Sequence, residues 1–172
     1  MNLPNILTLS RILLIPVFVI VFYLPFEWHY YGAAIVFFIA GATDWLDGYL
    51  ARLWDQSTPF GAFLDPVADK LMVAIALMLL VDEHHTMWLT IPASIIVGRE
   101  IVISALREWM AEMGKRASIA VSYVGKVKTA CQMFAIFVLL GSVPESPFAY
   151  AGLAILYVAA SLTLWSMAMY IR

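Results

Sequence analysis

Charge and cysteine are the scarcest features of this 172-residue chain, which is 13% charged and has one cysteine. The lone Cys131 excludes an intrachain disulfide, and its place in an apolar run reads as packing rather than chemistry. No basic patch is available for a nucleic-acid surface, and the net charge of −2 says little because the charges are unevenly placed. Internal repeats, low-complexity tracts and linker-like segments are also missing, so one domain over 1–172 is expected. What the chain has in plenty is apolar side chains, at 63% of the sequence. A soluble domain of this length needs far more polar surface, and a mean hydropathy of +0.89 points to a membrane protein.

The opening "MNLPNILTLSRILLIPVFVIVFYLPF" lacks a basic stretch before its apolar run and a small-residue cleavage site after it. It reads as a retained first membrane helix rather than a signal peptide. Since a bilayer needs roughly 20 apolar helical residues, six spans are expected, at about 6–25, 31–52, 66–82, 87–107, 124–141 and 149–171. Trp28, Tyr30 and Tyr31 in "EWHYY" suit the headgroup level. All ten Lys and Arg lie near the N-terminus, the 2–3 and 4–5 connections or the C-terminus, and none lies in the other three connections. By the positive-inside tendency, both termini face the cytoplasm.

Against that background the stretch "TDWLDGYLARLWDQSTPFGAFLDPVADK", residues 43–70, concentrates acid on the cytoplasmic side. Asp44, Asp47, Gly48 and Ala51 are spaced i, i+3, i+4, i+7 and share one helix face. Asp65 and Asp69 share a face at the start of the third helix, where Pro66 is tolerated in a first turn. The twelve residues from Leu53 to Leu64 are expected to reverse the chain and bring the two pairs to similar depth. Four crowded carboxylates repel one another in low dielectric unless cations relieve them. An all-carboxylate set favours Mg²⁺ or Mn²⁺ over Zn²⁺, and four can hold two ions in the manner of phosphoryl chemistry. Small residues at helical spacing ordinarily serve helix packing, and that reading stands for Gly48 and Ala51 taken alone. A single membrane Asp can be a proton relay or helix-pairing group, but four acids beside Arg52 and Lys70 mark a functional site.

The pattern Asp44-x2-Asp47-Gly48-x2-Ala51-Arg52-x8-Gly61-x3-Asp65-x3-Asp69 resembles the signature of the CDP-alcohol phosphatidyltransferases at every position. The resemblance implies an all-α fold of six transmembrane helices and an enzyme that displaces CMP from a CDP-linked lipid with an alcohol. It implies two divalent ions on Asp44, Asp47, Asp65 and Asp69, with Asp69 as general base. The CDP-lipid would lie against Asp44, Gly48, Ala51, Arg52 and Gly61. Thr8 and Arg11 resemble family positions near the cavity, and the family implies a homodimer.

The acceptor is read from other residues. Arg99 and Arg107 are two turns apart, and Lys126 and Lys128 lie at the start of the fifth helix. Such a cationic cluster suits an acceptor that carries a phosphate, whereas Lys115 and Arg116 suit snorkelling to an anionic leaflet equally well. The stretches "NLPNILTLSRILLIP", "GRE", "SALREW" and "GKVKT" resemble the glycerol-3-phosphate-using subgroup, in its enterobacterial type. The expected reaction therefore joins CDP-diacylglycerol to sn-glycerol 3-phosphate at a bacterial inner membrane, in anionic phospholipid biosynthesis. Inositol phosphate, serine or phosphatidylglycerol as acceptor is the alternative. A divalent-cation transporter is the rival from another class, although Glu27, Asp82, Glu83 and Glu145 are the only acids expected on the opposite face.

Overall fold

The computed structural model describes residues 3–55, 58–114 and 123–171. Lys115, Arg116 and Arg172, three of the basic residues behind the expected orientation, lie outside them. Among the described residues six helices follow one another: α1 (Leu3–Phe22), α2 (His29–Trp54), α3 (Pro59–His84), α4 (Met87–Glu112), α5 (Tyr123–Leu140) and α6 (Pro147–Ile171). All but α3 are long and apolar enough to cross a membrane. At 26 residues α3 is as long as α2 and α4, but it carries Asp65, Asp69 and Lys70 early and Asp82 and Glu83 late. Its uninterrupted apolar run is confined to residues 71–81.

The chain divides into two compact units, residues 1–79 with 140–143, and residues 80–139 with 144–172. In the first, α1 packs on α2. The buried face of α1 runs through Asn5, Thr8, Arg11, Ile15, Phe18 and Phe22. On α2 it runs through Ala33, Phe37, Ala40 and Asp47. Both stripes follow the 3.6-residue period. Phe18 meets Phe37 with ring centroids 6.3 Å apart, and each step along α1 toward Thr8 matches a step along α2 toward Asp47. The small side chains on α2 let the backbones approach, which matters because lipid gives helices no hydrophobic drive to associate. The outward side chains are apolar, including Leu13 and Ile20 of α1 and Ile35 and Phe38 of α2.

The connection between α2 and α3 is much shorter than the expected twelve residues. Asp55 ends α2 in the left-handed conformation, and its N–H bonds to the Ala51 carbonyl. Helix α3 starts at Pro59, a residue suited to a first position because it needs no N–H partner. Just before it, the Thr58 hydroxyl accepts the Gly61 N–H at 3.0 Å, the bond of an N-cap residue. Pro66 therefore lies in the helix interior, not in the first turn.

In the second unit α4 packs on α6. Leu89, Ala93, Ile96, Ile103, Leu156 and Ala159 are buried there. The Tyr157 hydroxyl donates to the Trp88 carbonyl at 2.6 Å. Thr86 caps α4 by accepting the Trp88 N–H, after a tight turn in which His85 takes a φ of 48°.

Candidate active site

The acids of the signature all belong to the first unit, and α1 is what gathers them. Arg11 is a buried guanidinium, its side chain 1% exposed, in a chain otherwise short of charge. Its Nη1 donates to Asp44 Oδ1 at 2.8 Å, and its Nη2 pairs with Asp47 Oδ2. Asp69 Oδ1 stands 3.7 Å from the same Nη1. The fourth acid is reached through Thr8, whose Oγ1 lies 2.9 Å from Asp47 Oδ2 and 2.6 Å from Asp65 Oδ1. Thus α2 and α3, the two carboxylate-bearing helices, are tied together by side chains of α1.

Exposure separates the acids. Asp47 is closed in, with 3% of its side chain exposed, whereas Asp44 is 38% and Asp69 50% exposed. Asp69 is thus open to an incoming group, and Asp47 is enclosed, its Oδ2 held by Arg11 and Thr8 of α1.

The four carboxylates gather around one buried guanidinium. Arg11 compensates one of four carboxylates, and its Nε is buried without a partner. Thr8 Oγ1 has one proton but faces three oxygens, since the Pro4 carbonyl also lies 3.0 Å away. Among the described residues no three acids, histidines or cysteines form a ready metal-ligand group; the carboxylates are turned onto Arg11 and Thr8 instead. As a donor set, four crowded aspartates fit hard divalent cations.

The two glycines of the signature differ. A Cβ on Gly48 would meet nothing within 4 Å, so space lies open beside this turn of α2. A Cβ on Gly61 would come 2.6 Å from Asn5 Oδ1. The close neighbour that Gly61 admits is therefore the Asn5 side chain, which also donates to Thr58 Oγ1 at 3.0 Å. Arg52 is exposed and folds back along α2, its Nε donating to the Gly48 carbonyl at 3.1 Å.

The cationic candidates belong to the second unit and do not behave alike. Lys128 Nζ and Arg99 Nη1 both donate to Glu100 Oε1, at 3.1 and 3.2 Å. Arg107 and Lys126, the first choices from sequence, are exposed.

The profile described as CDP-alcohol phosphatidyltransferase matches residues 1–165, nearly the whole chain. The chain belongs to this family. Relatives agree over similar lengths. A CDP-diacylglycerol--glycerol-3-phosphate 3-phosphatidyltransferase of Escherichia coli (strain K12) is 58% identical over 170 residues, covering 99% of this chain and 93% of the relative. The protein of the same name from Salmonella typhimurium (strain LT2) is 59% identical over the same shares.

For a CDP-alcohol phosphatidyltransferase, the residues that sequence reasoning missed are the ones that organise others. Asn5 and Thr58 fix the start of α3, and Glu100 joins Arg99 to Lys128. Asn5 was findable, since it falls on one helical stripe with Thr8 and Arg11. Thr58-Pro59 is a helix-start pair. Glu100 carried no spacing signal, because neighbours at i, i+1 do not ordinarily face each other on a helix.

Proposed function

We propose that the chain transfers the phosphatidyl group of CDP-diacylglycerol to sn-glycerol 3-phosphate, giving phosphatidylglycerol phosphate and CMP. The observation that carries this reading is the convergence of Asp44, Asp47 and Asp69 on one buried arginine, with Asp65 joined through Thr8. Membership of the family, and the names of relatives at 58–59% identity, supply the donor and the acceptor.

Asp44, Asp47, Asp65 and Asp69 would hold two divalent cations, Mg²⁺ or Mn²⁺, whose chemistry is to offset the diphosphate's charge and the charge developing on departing CMP. Asp69, half-exposed, takes the proton of the acceptor's primary hydroxyl. The freed oxygen attacks the phosphorus that bears diacylglycerol, and the bond from that phosphorus to CMP breaks. A carboxylate is a weak base, so correct placement contributes more than its basicity. Arg11 holds three of the acids in place, and the open side of Gly48, with Ala51, Arg52 and Gly61, borders the donor. Arg99 and Lys128, with Arg107 and Lys126, bind the acceptor's phosphate. Residues 1–172 act as one catalytic domain, a reading supported by a family match that runs unbroken across both compact units. The proposal places the protein as a homodimer in a bacterial inner membrane, with both termini and the acids on the cytoplasmic side.

The test supplies purified protein in mixed micelles with CDP-diacylglycerol and a panel of glycerol 3-phosphate, inositol phosphate, serine and phosphatidylglycerol. Mass spectrometry should find phosphatidylglycerol phosphate alone, formed with Mg²⁺ or Mn²⁺ and abolished by EDTA. A product from another acceptor would overturn the acceptor assignment. Absence of any CMP release would overturn the transferase.

A further inference from the structure

The second unit contains a buried polar cluster with a job that the proton transfer leaves unexplained. Arg99 and Glu100 lie on α4, Lys128 on α5 and Ser166 on α6. Glu100 Oε1 accepts from Arg99 Nη1 and Lys128 Nζ, and Arg99 Nη2 reaches Ser166 Oγ at 3.5 Å. Lys128 and Arg99 side chains are 7% and 14% exposed. Two cations on one carboxylate leave these three groups one positive charge in excess, and burial makes an uncompensated charge costly. The Arg99 Nε is buried without a hydrogen-bond partner. One turn along α5 from Lys128, the buried Gln132 leaves its Oε1 unpartnered too. An anion accepts from such an Nε, and a hydroxyl donates to such an Oε1.

Arg and Lys are the side chains with the most rotamer freedom to lose. A guanidinium and an ammonium on separate helices do not keep a fixed separation unless something joins them. Adjacent residues of a helix do not ordinarily face each other, so the Arg99–Glu100 contact at 3.2 Å is not one that helical spacing supplies. We infer that Glu100 is a positioning residue, tying Arg99 to Lys128 so that the acceptor's phosphate meets two cations already set. This rests on the phosphate-binding role proposed above for those two residues.

The sign of the effect separates this role from its rivals. If Glu100 only diluted positive charge, removing its charge would tighten binding of an anion. If it only filled space, the isosteric amide would change nothing. A positioning role predicts that E100Q raises the KM for glycerol 3-phosphate about tenfold, the scale of one hydrogen bond to a charged group. The kcat and the KM for CDP-diacylglycerol should stay within about twofold, and E100D should bring the glycerol 3-phosphate KM back to within about threefold of wild type. An unchanged or lowered KM for glycerol 3-phosphate in E100Q overturns the inference, as does an equal rise for both substrates. Should E100Q not fold, E100S carries the test: a KM rise confined to glycerol 3-phosphate supports the role and no rise overturns it. Failure of the wider reading appears elsewhere, as wild-type protein that releases no CMP with glycerol 3-phosphate.

Discussion

Arg11 concentrates at one position the conflict between an apolar chain and its chemistry. A guanidinium with a 1% exposed side chain is tolerable only because Asp44 and Asp47 pair with it directly and Asp69 stands close by. Removing one partner of such a cluster leaves buried charge uncompensated, at a cost of about 3–5 kcal/mol. Arg11→Ala should therefore lower the thermal midpoint in detergent strongly and abolish turnover. Arg11→Lys should recover little of either, because one ammonium nitrogen does not reproduce the planar fork whose two spaced terminal nitrogens each meet a different carboxylate. Full stability in Arg11→Ala would show that Arg11 does not hold the acids together. Asp69 gives the opposite expectation. It is half-exposed and at the edge of the arginine's reach, so Asp69→Asn should lose at least about a hundredfold in kcat while the midpoint moves little. Near-normal turnover in Asp69→Asn would remove it as the base. Both residues were visible in the sequence, but unequally. The four acids announced themselves by spacing in a charge-poor chain. Arg11 and Thr8 were singled out by family resemblance, although their place on the stripe that continues to Ile15, Phe18 and Phe22 carries the same information in physical terms.

Among the elements, α3 shows where sequence patterns were readable and where they were not. All six helices were legible from long apolar runs, and their centres agree with the structure. Hydropathy cannot find an end that is polar and still helical, and so the first turns of α3 were taken for a connection. The capping signal was present in Thr58-Pro59, but a hydropathy window does not see it. The consequence falls on Gly61. Inside α3 it faces Asn5, whose Oδ1 would lie 2.6 Å from an added Cβ, and Asn5 is held by its bond to Thr58 and cannot simply swing aside. Gly61→Ala should cost about 1–3 kcal/mol of stability by overpacking. In an Asn5→Ala background the further cost should fall by about 1 kcal/mol, as for residues in direct contact. Thermal unfolding of the four proteins measures this, and an equal cost in both backgrounds would show that Asn5 is not what Gly61 makes room for. Activity adds a second reading: a double variant that folds but does not turn over would place Gly61 beside the donor as well.

At the scale of the whole molecule, the distribution of charge carries more than its total. Residues 12–51, 71–98 and 129–171 hold no lysine or arginine, and the helices within those tracts turn large apolar side chains outward, as Met78, Phe148 and Trp165 do. Membership of six helices in two compact units was not legible, because hydropathy reports which segments leave water and not which pack together. Orientation is an expectation that rests on the map of basic residues, which are retained on the side where a membrane's insertion machinery leaves them. The proposal is testable with cysteine, which the chain nearly lacks. With Cys131 replaced by Ser, single cysteines at Val143, exposed in the turn between α5 and α6, and at Glu112, the last residue of α4, sample the two expected sides. A membrane-impermeant maleimide should label V143C in intact cells with a permeabilised outer membrane, and E112C only after the inner membrane is opened. The reverse pattern would turn the acids away from the compartment where a water-soluble acceptor such as glycerol 3-phosphate is made. The orientation would then be wrong, and the route by which that acceptor reaches Asp69 would be wrong with it.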